Sequence, residues 1–229
     1  MKIPSMFDSI ARRYDLANHV ISLGMHLFWK KKALRESRNF LKREEISILD
    51  LACGTGDLLK FAEEIFPKAK EKVGLDPSGE MLQRAVRRGL KAHFIRGAAE
   101  YLPFKDNSFD LITVSFGVRN FENRGKAFEE IFRVLKPDGI FTVLEFAKPD
   151  NGDLFQNLSW CYTKRVVPTL GGIISGSKEP YEYLAQSIER FPLPKNLTEE
   201  VERKGFKTLK VERLFPPITV LYIFKKLTG

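Results

Sequence analysis

Leu49-Asp50-Leu51-Ala52-Cys53-Gly54-Thr55-Gly56-Asp57 is the stretch that decides the architecture of this chain. It continues Ile46-Ser47-Ile48, so a short apolar run ends in a glycine-rich turn. That is the signature of a buried parallel strand. From Asp57 to Phe66, Leu58, Leu59, Ala62 and Ile65 recur at helical spacing, and Pro67 stands just past the end, a helix with its stop signal.

The same alternation spreads downstream. Residues 72–76 read as a second strand. Ser78 can cap a helix running to about Arg88, with Met81, Leu82 and Val86 inward and Gly89 as the stop. Residues 92–95 and 109–115 read as strands three and four. Residues 125–135 read as a helix burying Ala127, Ile131, Val134 and Leu135. Lys136-Pro137-Asp138-Gly139 then stops it and reverses the chain into a fifth strand over 140–146. Strand and helix in alternation imply a parallel sheet with helices on both faces.

After Pro149 the pattern weakens. Helices are expected at about 154–166, 179–190 and 197–204, and last strands at 208–214 and 219–224. The expectation is one α/β domain over 1–229, a doubly wound, mostly parallel seven-stranded sheet. A helical cover would occupy 1–45, a ligand-binding core 46–148, a helical substrate region 149–205 and the last strands 206–229.

With 229 residues, 43% hydrophobic and 29% charged, the chain has the composition of one large globular domain. No apolar run reaches the ~18–20 residues of a membrane span. The start from Met1 to Ile10 lacks a basic leader with an apolar core, so a cytoplasmic location is expected. Cys53 and Cys161 share no metal-ligand spacing and have no histidine nearby, so free thiols and no metal are expected. The net charge of +9 could attract RNA, anionic lipid or an anionic substrate. Its densest run, Lys30-Lys31-Lys32 with Arg35 and Arg38, follows Leu27-Phe28-Trp29. That suits a helix lying on a membrane surface, and equally one packing Trp29 into the domain.

In an open α/β sheet, ligands bind beyond the carboxyl ends of the strands where strand order reverses. Gly54 and Gly56 let backbone approach a ligand there, and the next helix offers free N–H groups. Asp76 closes the second strand at the distance where an acid can hold ribose hydroxyls. Two details favour S-adenosylmethionine over a dinucleotide. Leu59 replaces the third glycine of the dinucleotide fingerprint. Asp50 puts a carboxylate in the loop approach, which would repel a pyrophosphate but can orient the loop and favour a cationic amino-acid end.

Further motifs are Met6-Phe7-Asp8 with Arg13-Tyr14-Asp15, Leu102-Pro103-Phe104 with Asn107-Ser108-Phe109-Asp110, and Ser115-Phe116-Gly117-Val118-Arg119-Asn120. Then come Arg133-Val134-Leu135-Lys136-Pro137, Leu144-Glu145-Phe146, the segment from Pro168 to Gly176, and Tyr181, Tyr183-Leu184, Ser187-Ile188 and Phe191-Pro192. Through these the chain resembles the class I (Rossmann-like) methyltransferases, and more closely the ubiquinone/menaquinone C-methyltransferase family, from Met6 to about Lys204. The resemblance implies S-adenosylmethionine as cofactor and a quinol with a prenyl tail as substrate. It implies that Thr55 and its flanking glycines meet the methionine end, Asp76 the ribose, and Met81, Ala98 and Ala99 the adenine. Ser115 would lie at the fourth strand's end and Tyr14 near the cofactor, while Arg119 matches the arginine proposed in the family to assist substrate deprotonation. Two departures stand out. Ala98 replaces an aspartate that would accept from the adenine amino group, a loss Glu100 could offset, and Phe215-Pro216-Pro217-Ile218 replaces a glycine-containing stretch.

Arg119 stays protonated and is a poor base, so stabilising a phenolate or orienting a water suits it better. His19 and His26 flank the N-terminal segment, where either could reach a substrate. Tyr162, Tyr181 and Tyr183, with Phe155 and Trp160, could line an apolar pocket for a prenylated ring. Peripheral membrane contact would accompany such a substrate. A nucleic-acid partner is not expected, since no base-handling motif or appended RNA module is present. Rival readings are a methyltransferase for another small or lipid acceptor, and a non-catalytic protein that binds cofactor or quinone. The sequence sets no oligomeric state.

Overall fold

The computed structural model describes Asp8, Leu16 and residues 18–150 and 152–227. The sheet contains β1 (Ser47–Leu51), β2 (Glu71–Asp76), β3 (His93–Arg96), β4 (Phe109–Ser115), β5 (Leu135–Phe146), β6 (Phe206–Leu214) and β7 (Thr219–Lys226). Its order is β3-β2-β1-β4-β5-β7-β6. Strands β1 to β5 pair in parallel, and β7 runs antiparallel to both β5 and β6. Order reverses between β1 and β4, which places the crevice at their carboxyl ends.

Successive residues of the central strands enter opposite layers, as the two-residue period of a strand requires. Leu49, Leu51, Ile112 and Val143 pack on one face with Phe128 and Ile131 of α4 (Arg124–Val134); the helices are numbered here in chain order, with α1 at Met25–Arg38, α2 at Asp57–Ile65 and α3 at Gly79–Arg87. Ile48, Leu111, Ile140 and Leu144 pack on the other face with Trp29 and Leu34 of α1 and Leu58 and Ala62 of α2. After β5 come α5 (Leu154–Arg165), α6 (Val167–Ser175), α7 (Glu179–Arg190) and α8 (Pro194–Glu202).

The run of lysines in α1 is an internal clamp. Trp29 is buried and donates from Nε1 to the Phe215 carbonyl at 2.8 Å. Lys30, Lys31 and Lys32 pair with Asp57, Glu64 and Glu212 at 3.0, 2.6 and 2.5 Å. The helix thus packs Trp29 into the domain, as one of the two readings of this segment has it.

Several expectations need correction. Ser78 caps α3 as expected, its hydroxyl accepting from Met81 N–H. Val86, however, is 59% exposed, and Ala85 takes the inward position, because Met81, Leu82 and Ala85 share one helical face. Residues 136–139 do not separate helix from strand. Leu135 already pairs with Phe109, and the register then jumps to Leu111 with Ile140. The turn chemistry is present, with Asp138 at a φ of 61°, but it forms a bulge inside β5. Helix α6 was not foreseen. Pro168 falls in its first turn, where the missing N–H costs no bond. Helix α8 starts at Pro194 for the same reason, three residues before the expected start.

Candidate functional site

At the end of β1 the chain passes through left-handed backbone at Ala52, Gly54 and Gly56, with φ of 51°, 56° and 83°. Only glycine adopts that conformation without strain, so Ala52 is held there by its surroundings. Phe116, just past β4, is also left-handed, at 59°. The two loops touch: a Cβ on Gly117 would come within 2.6 Å of the Ala52 Cβ. Strained non-glycine residues concentrate where a site is being shaped.

Asp76 fixes the glycine loop. Its Oδ2 accepts from Gly54 N–H and its Oδ1 from Ser78 N–H, each at 2.8 Å. Burial pushes its carboxyl up, and the two backbone donors oppose that. Each oxygen keeps a second lone pair for a ligand hydroxyl. Asp50 lies beneath the loop, buried, its Oδ1 accepting from the Thr113 hydroxyl at 2.8 Å. Burial pushes its carboxyl up to about 7, against the Thr113 bond and the charge of Lys30.

A cavity of about 330 Å³ opens over this floor, within the ~300–1,000 Å³ range of small-molecule sites. Gly54, Asp76, Met81, Ala98, Ala99 and Ser115 all line it, as do Leu75, Glu100, Asn120 and Phe121. A second cavity of about 110 Å³ adjoins it and shares Ala52, Gly54, Ser115 and Phe116. Thr55 and Arg119 line the second, with Ser22, His26, Trp29, Lys30, Tyr181 and Tyr183. Asp50 and Gly56 line neither. The one is turned to Thr113 under the loop, and the other is packed against Leu90, which a Cβ would meet at 2.8 Å. Tyr14 lies outside the described residues. Of the aromatic side chains expected in the pocket, Tyr181 and Tyr183 are there. Phe155 and Tyr162 are exposed, and Tyr162 instead donates to the Ile21 carbonyl at 3.1 Å; Trp160 lines neither cavity.

The donor set of the first cavity fits S-adenosylmethionine. A carboxylate with free lone pairs suits ribose hydroxyls, apolar Leu75, Met81 and Ala99 suit a flat base, and the exposed loop backbone suits the amino-acid end. Glu100 lines this cavity beside Ala98, although one of its oxygens accepts from Asn123 N–H at 3.2 Å.

Arg119 is held by its neighbours. Nη1 donates to Glu145 Oε1 at 2.8 Å and to the Phe116 carbonyl, and the Arg119 backbone N–H reaches Glu145 Oε2 at 3.2 Å. Both side chains are buried. The guanidinium also lies 5.7 Å from the Phe146 ring centroid. Asn120, next in sequence, accepts from the Tyr183 phenol at 3.0 Å. The sequence motifs that contain Glu145 and Tyr183 do not contain their partners; both pairings cross between distant elements, and no local spacing signals them. Among the described residues, no group of three His, Cys, Asp or Glu is placed to hold a metal ion.

Residues 1–226 match the model of the ubiE/COQ5 methyltransferase family. The chain is 37% identical over 230 residues to the ubiquinone/menaquinone biosynthesis C-methyltransferase UbiE of Campylobacter jejuni, covering 99% of this chain and 98% of that protein. It is 43% identical over 205 residues to the demethylmenaquinone methyltransferase of Thermus thermophilus, covering 88% and 91%. A chain from the complex of the Haloferax volcanii Trm112 methyltransferase activator with a methyltransferase superposes with a TM-score of 0.72. It is 18% identical, with 100% and 99% of the two chains covered; that likeness speaks for the fold.

Proposed function

The chain belongs to the ubiE/COQ5 methyltransferase family, and from that membership we propose that it moves the methyl group of S-adenosylmethionine onto a ring carbon of a reduced, demethylated quinone bearing a prenyl tail. The observation that carries this reading is the pair of adjoining cavities sharing Ala52, Gly54, Ser115 and Phe116 as a common wall. A methyl donor and an acceptor ring in those two spaces would meet across that wall. Holding them in line supplies much of the rate of such a transfer.

When bound, S-adenosylmethionine supplies an electrophilic methyl group on a sulfonium. Around it, Asp76 binds the ribose hydroxyls, Met81, Ala98 and Ala99 pack on the adenine, and Gly54 and Thr55 contact the amino-acid end. Asp50 orients the loop from below, and Gly56 turns it into α2. Ser115 closes the cavity at the end of β4. Residues 46–148 thus form the donor-binding core. Residues 18–45 cover the acceptor side of the crevice, 152–205 shape its far wall and 206–227 complete the sheet.

On the acceptor side Arg119 stays charged. Its Nη1 is engaged by Glu145 and Phe116, so Nη2 remains to stabilise a quinol oxygen as it becomes anionic. Trp29, Phe116 and Phe146 pack edge-on or stacked along the wall of this chamber, with centroids 4.4–6.5 Å apart, a surface suited to a flat ring.

A prenylated acceptor resides in lipid, and a cytoplasmic enzyme must reach it at the membrane surface. No helix among the described residues is long and apolar enough to cross a membrane. Leu23, Phe28, Leu154, Phe155, Leu158 and Ile173 are exposed, and exposed apolar side chains of this kind suit peripheral contact. Sedimentation with lipid vesicles checks that contact; protein left in the supernatant removes it.

The test of the function is transfer of a labelled methyl group from S-adenosylmethionine to a reduced demethylated naphthoquinone, with donor binding followed by calorimetry on the same sample. Binding with transfer is expected. Binding without transfer would overturn the acceptor, and no binding would overturn the cofactor.

A further inference from the structure

We propose that His26 is the proton acceptor of the reaction, its Nε2 taking the hydroxyl proton of the quinol as the ring carbon attacks the methyl group. The inference rests on the acceptor reading above and identifies the base which that reading lacks. His26 lines the second cavity beside Ser22 and Arg119.

Its tautomer follows from a short chain of hydrogen bonds. The Ser22 hydroxyl lies 2.6 Å from the Asn18 carbonyl and 2.7 Å from His26 Nδ1. A carbonyl can only accept, and a hydroxyl has one hydrogen to give. That hydrogen goes to Asn18, so Nδ1 must carry its own hydrogen and donate to Ser22. Nε2 then holds the lone pair, and the hydrogen bonds of His26 to the described residues run through Nδ1 and the backbone N–H. The ring is thereby oriented and tautomerically fixed, as a general base needs to be.

The other titratable groups of this chamber are poorly suited. Arg119 and Lys30 are cations, and Lys30 is committed to Asp57. Asp57 is buried, which would raise its carboxyl, but Lys30 and Arg88 outweigh that and hold it far below the usual carboxylate range. Burial pushes the Cys53 thiol well up. It also raises the Tyr183 phenol, and Tyr181 is a phenol like the substrate itself.

His26 is neutral at physiological pH. Burial, aided by Lys30 on its own helix and by His19, pushes the imidazole down to about 4, against the opposing pull of Asp57. Across the chamber Arg119 and the phenols of Tyr181 and Tyr183 are the other ionisable groups. A proton arriving on Nε2 makes an imidazolium that the charge of Asp57 favours, as would the charge of the new phenolate.

The step balances. The quinol O–H breaks and its proton moves to Nε2. The ring carbon uses the released electron density to form a C–C bond to the methyl group. The methyl–sulfur bond breaks with its electron pair going to sulfur, which leaves as a neutral thioether. The methylated carbon loses its ring hydrogen as a proton, the neighbouring oxygen regains one from His26, and one proton is released overall.

Two measurements test this. With saturating donor and reduced demethylated naphthoquinone, His26→Ala should lower kcat by roughly 10²–10⁴-fold, the usual worth of a general base. Donor affinity by calorimetry should stay within about twofold, and added imidazole should restore part of the rate. A folded His26→Ala with an unchanged kcat overturns the proposal. So does His26→Gln at full rate, since glutamine can donate to Ser22 but cannot take a proton. The second measurement is the pH profile of kcat. The wild-type rate should fall along an acidic limb as pH drops toward about 4, where His26 gains a proton, and folded His26→Gln should lack that limb. The same limb persisting in His26→Gln would overturn the assignment. Failure of the wild-type enzyme to methylate the naphthoquinone would instead overturn the acceptor reading, which separates the two.

Discussion

Lys30 Nζ lies 3.0 Å from Asp57 Oδ2, so the N-terminal helix is tied by charge to the first residue after the glycine loop. Asp57 also accepts from Arg88 at 2.7 Å, and Arg88 in turn reaches the Thr55 carbonyl at 2.9 Å. Burial would raise the Asp57 carboxyl, and these cations outweigh it and depress it. A depressed carboxylate adds stability that is present above its unfolded value of about 3.9 and is lost as pH falls toward the folded one. Lys30→Met should cost about 1.5–3 kcal/mol at pH 7, as for a hydrogen bond between charged groups. Below pH 4 the wild-type should lose stability more steeply than the variant. Urea melts at pH 3, 4 and 7 check this, and parallel pH curves would show the pair to be idle.

Arg119 and Glu145 form a buried pair. Removing one partner leaves a bare charge and costs about 3–5 kcal/mol, whereas replacing both by apolar groups is often neutral. Glu145→Ala should therefore unfold at much lower urea, and Arg119→Met with Glu145→Leu should recover most of that loss. Turnover should stay low in the double variant, since the oxyanion partner is gone. A double variant with both stability and turnover restored would leave Arg119 without a part in the chemistry.

Asp76 carries both the loop and a ligand hydroxyl pair. Asp76→Ala removes the acceptor for Gly54 and Ser78 and the proposed ribose contact. Donor affinity should fall by about 1–3 kcal/mol, or about 5- to 150-fold. Calorimetry on a variant that remains folded is the check, and an unchanged dissociation constant would remove Asp76 from the site.

Much of this was legible because it is local. The glycine turn, the Ser78 cap and the strand over Phe109–Ser115 follow from a few consecutive residues. So does the grouping of Gly54, Asp76, Met81, Ala98 and Ser115, since strand ends at a reversal of order must meet. What was not legible depends on contacts across the fold. Nothing around residue 26 announces that Asn18 and Ser22 fix its tautomer, because those bonds require the turn through Gly24 to form. The lysines of α1 offered two readings until their acidic partners on α2 and β6 were located. The bulge at 136–139 is invisible in the sequence because the same residues make an ordinary turn.

Gly74 lies in the middle of β2, paired with Asp50 and Phe94, and its position explains why a strand tolerates a glycine there. A Cβ would sit 2.9 Å from Cys53 Sγ, Leu59 Cδ1 and Phe94 Cδ1. These neighbours come from the glycine loop, α2 and β3, so no single one can yield without disturbing another element. Overpacking of this kind costs about 1–3 kcal/mol, and Gly74→Ala should lose that much by urea melt. Because Cys53 belongs to the loop, donor affinity should fall as well. The Cys53 thiol is pushed well up by burial and carries no charge at neutral pH, so Cys53→Ala should keep methyl transfer. The smaller side chain should also make room for the new methyl. The double variant should then lose less than the sum of the singles, the mark of residues in contact. Strict additivity would mean that Gly74 is required by Leu59 and Phe94 alone, and that the loop does not feel the strand beneath it.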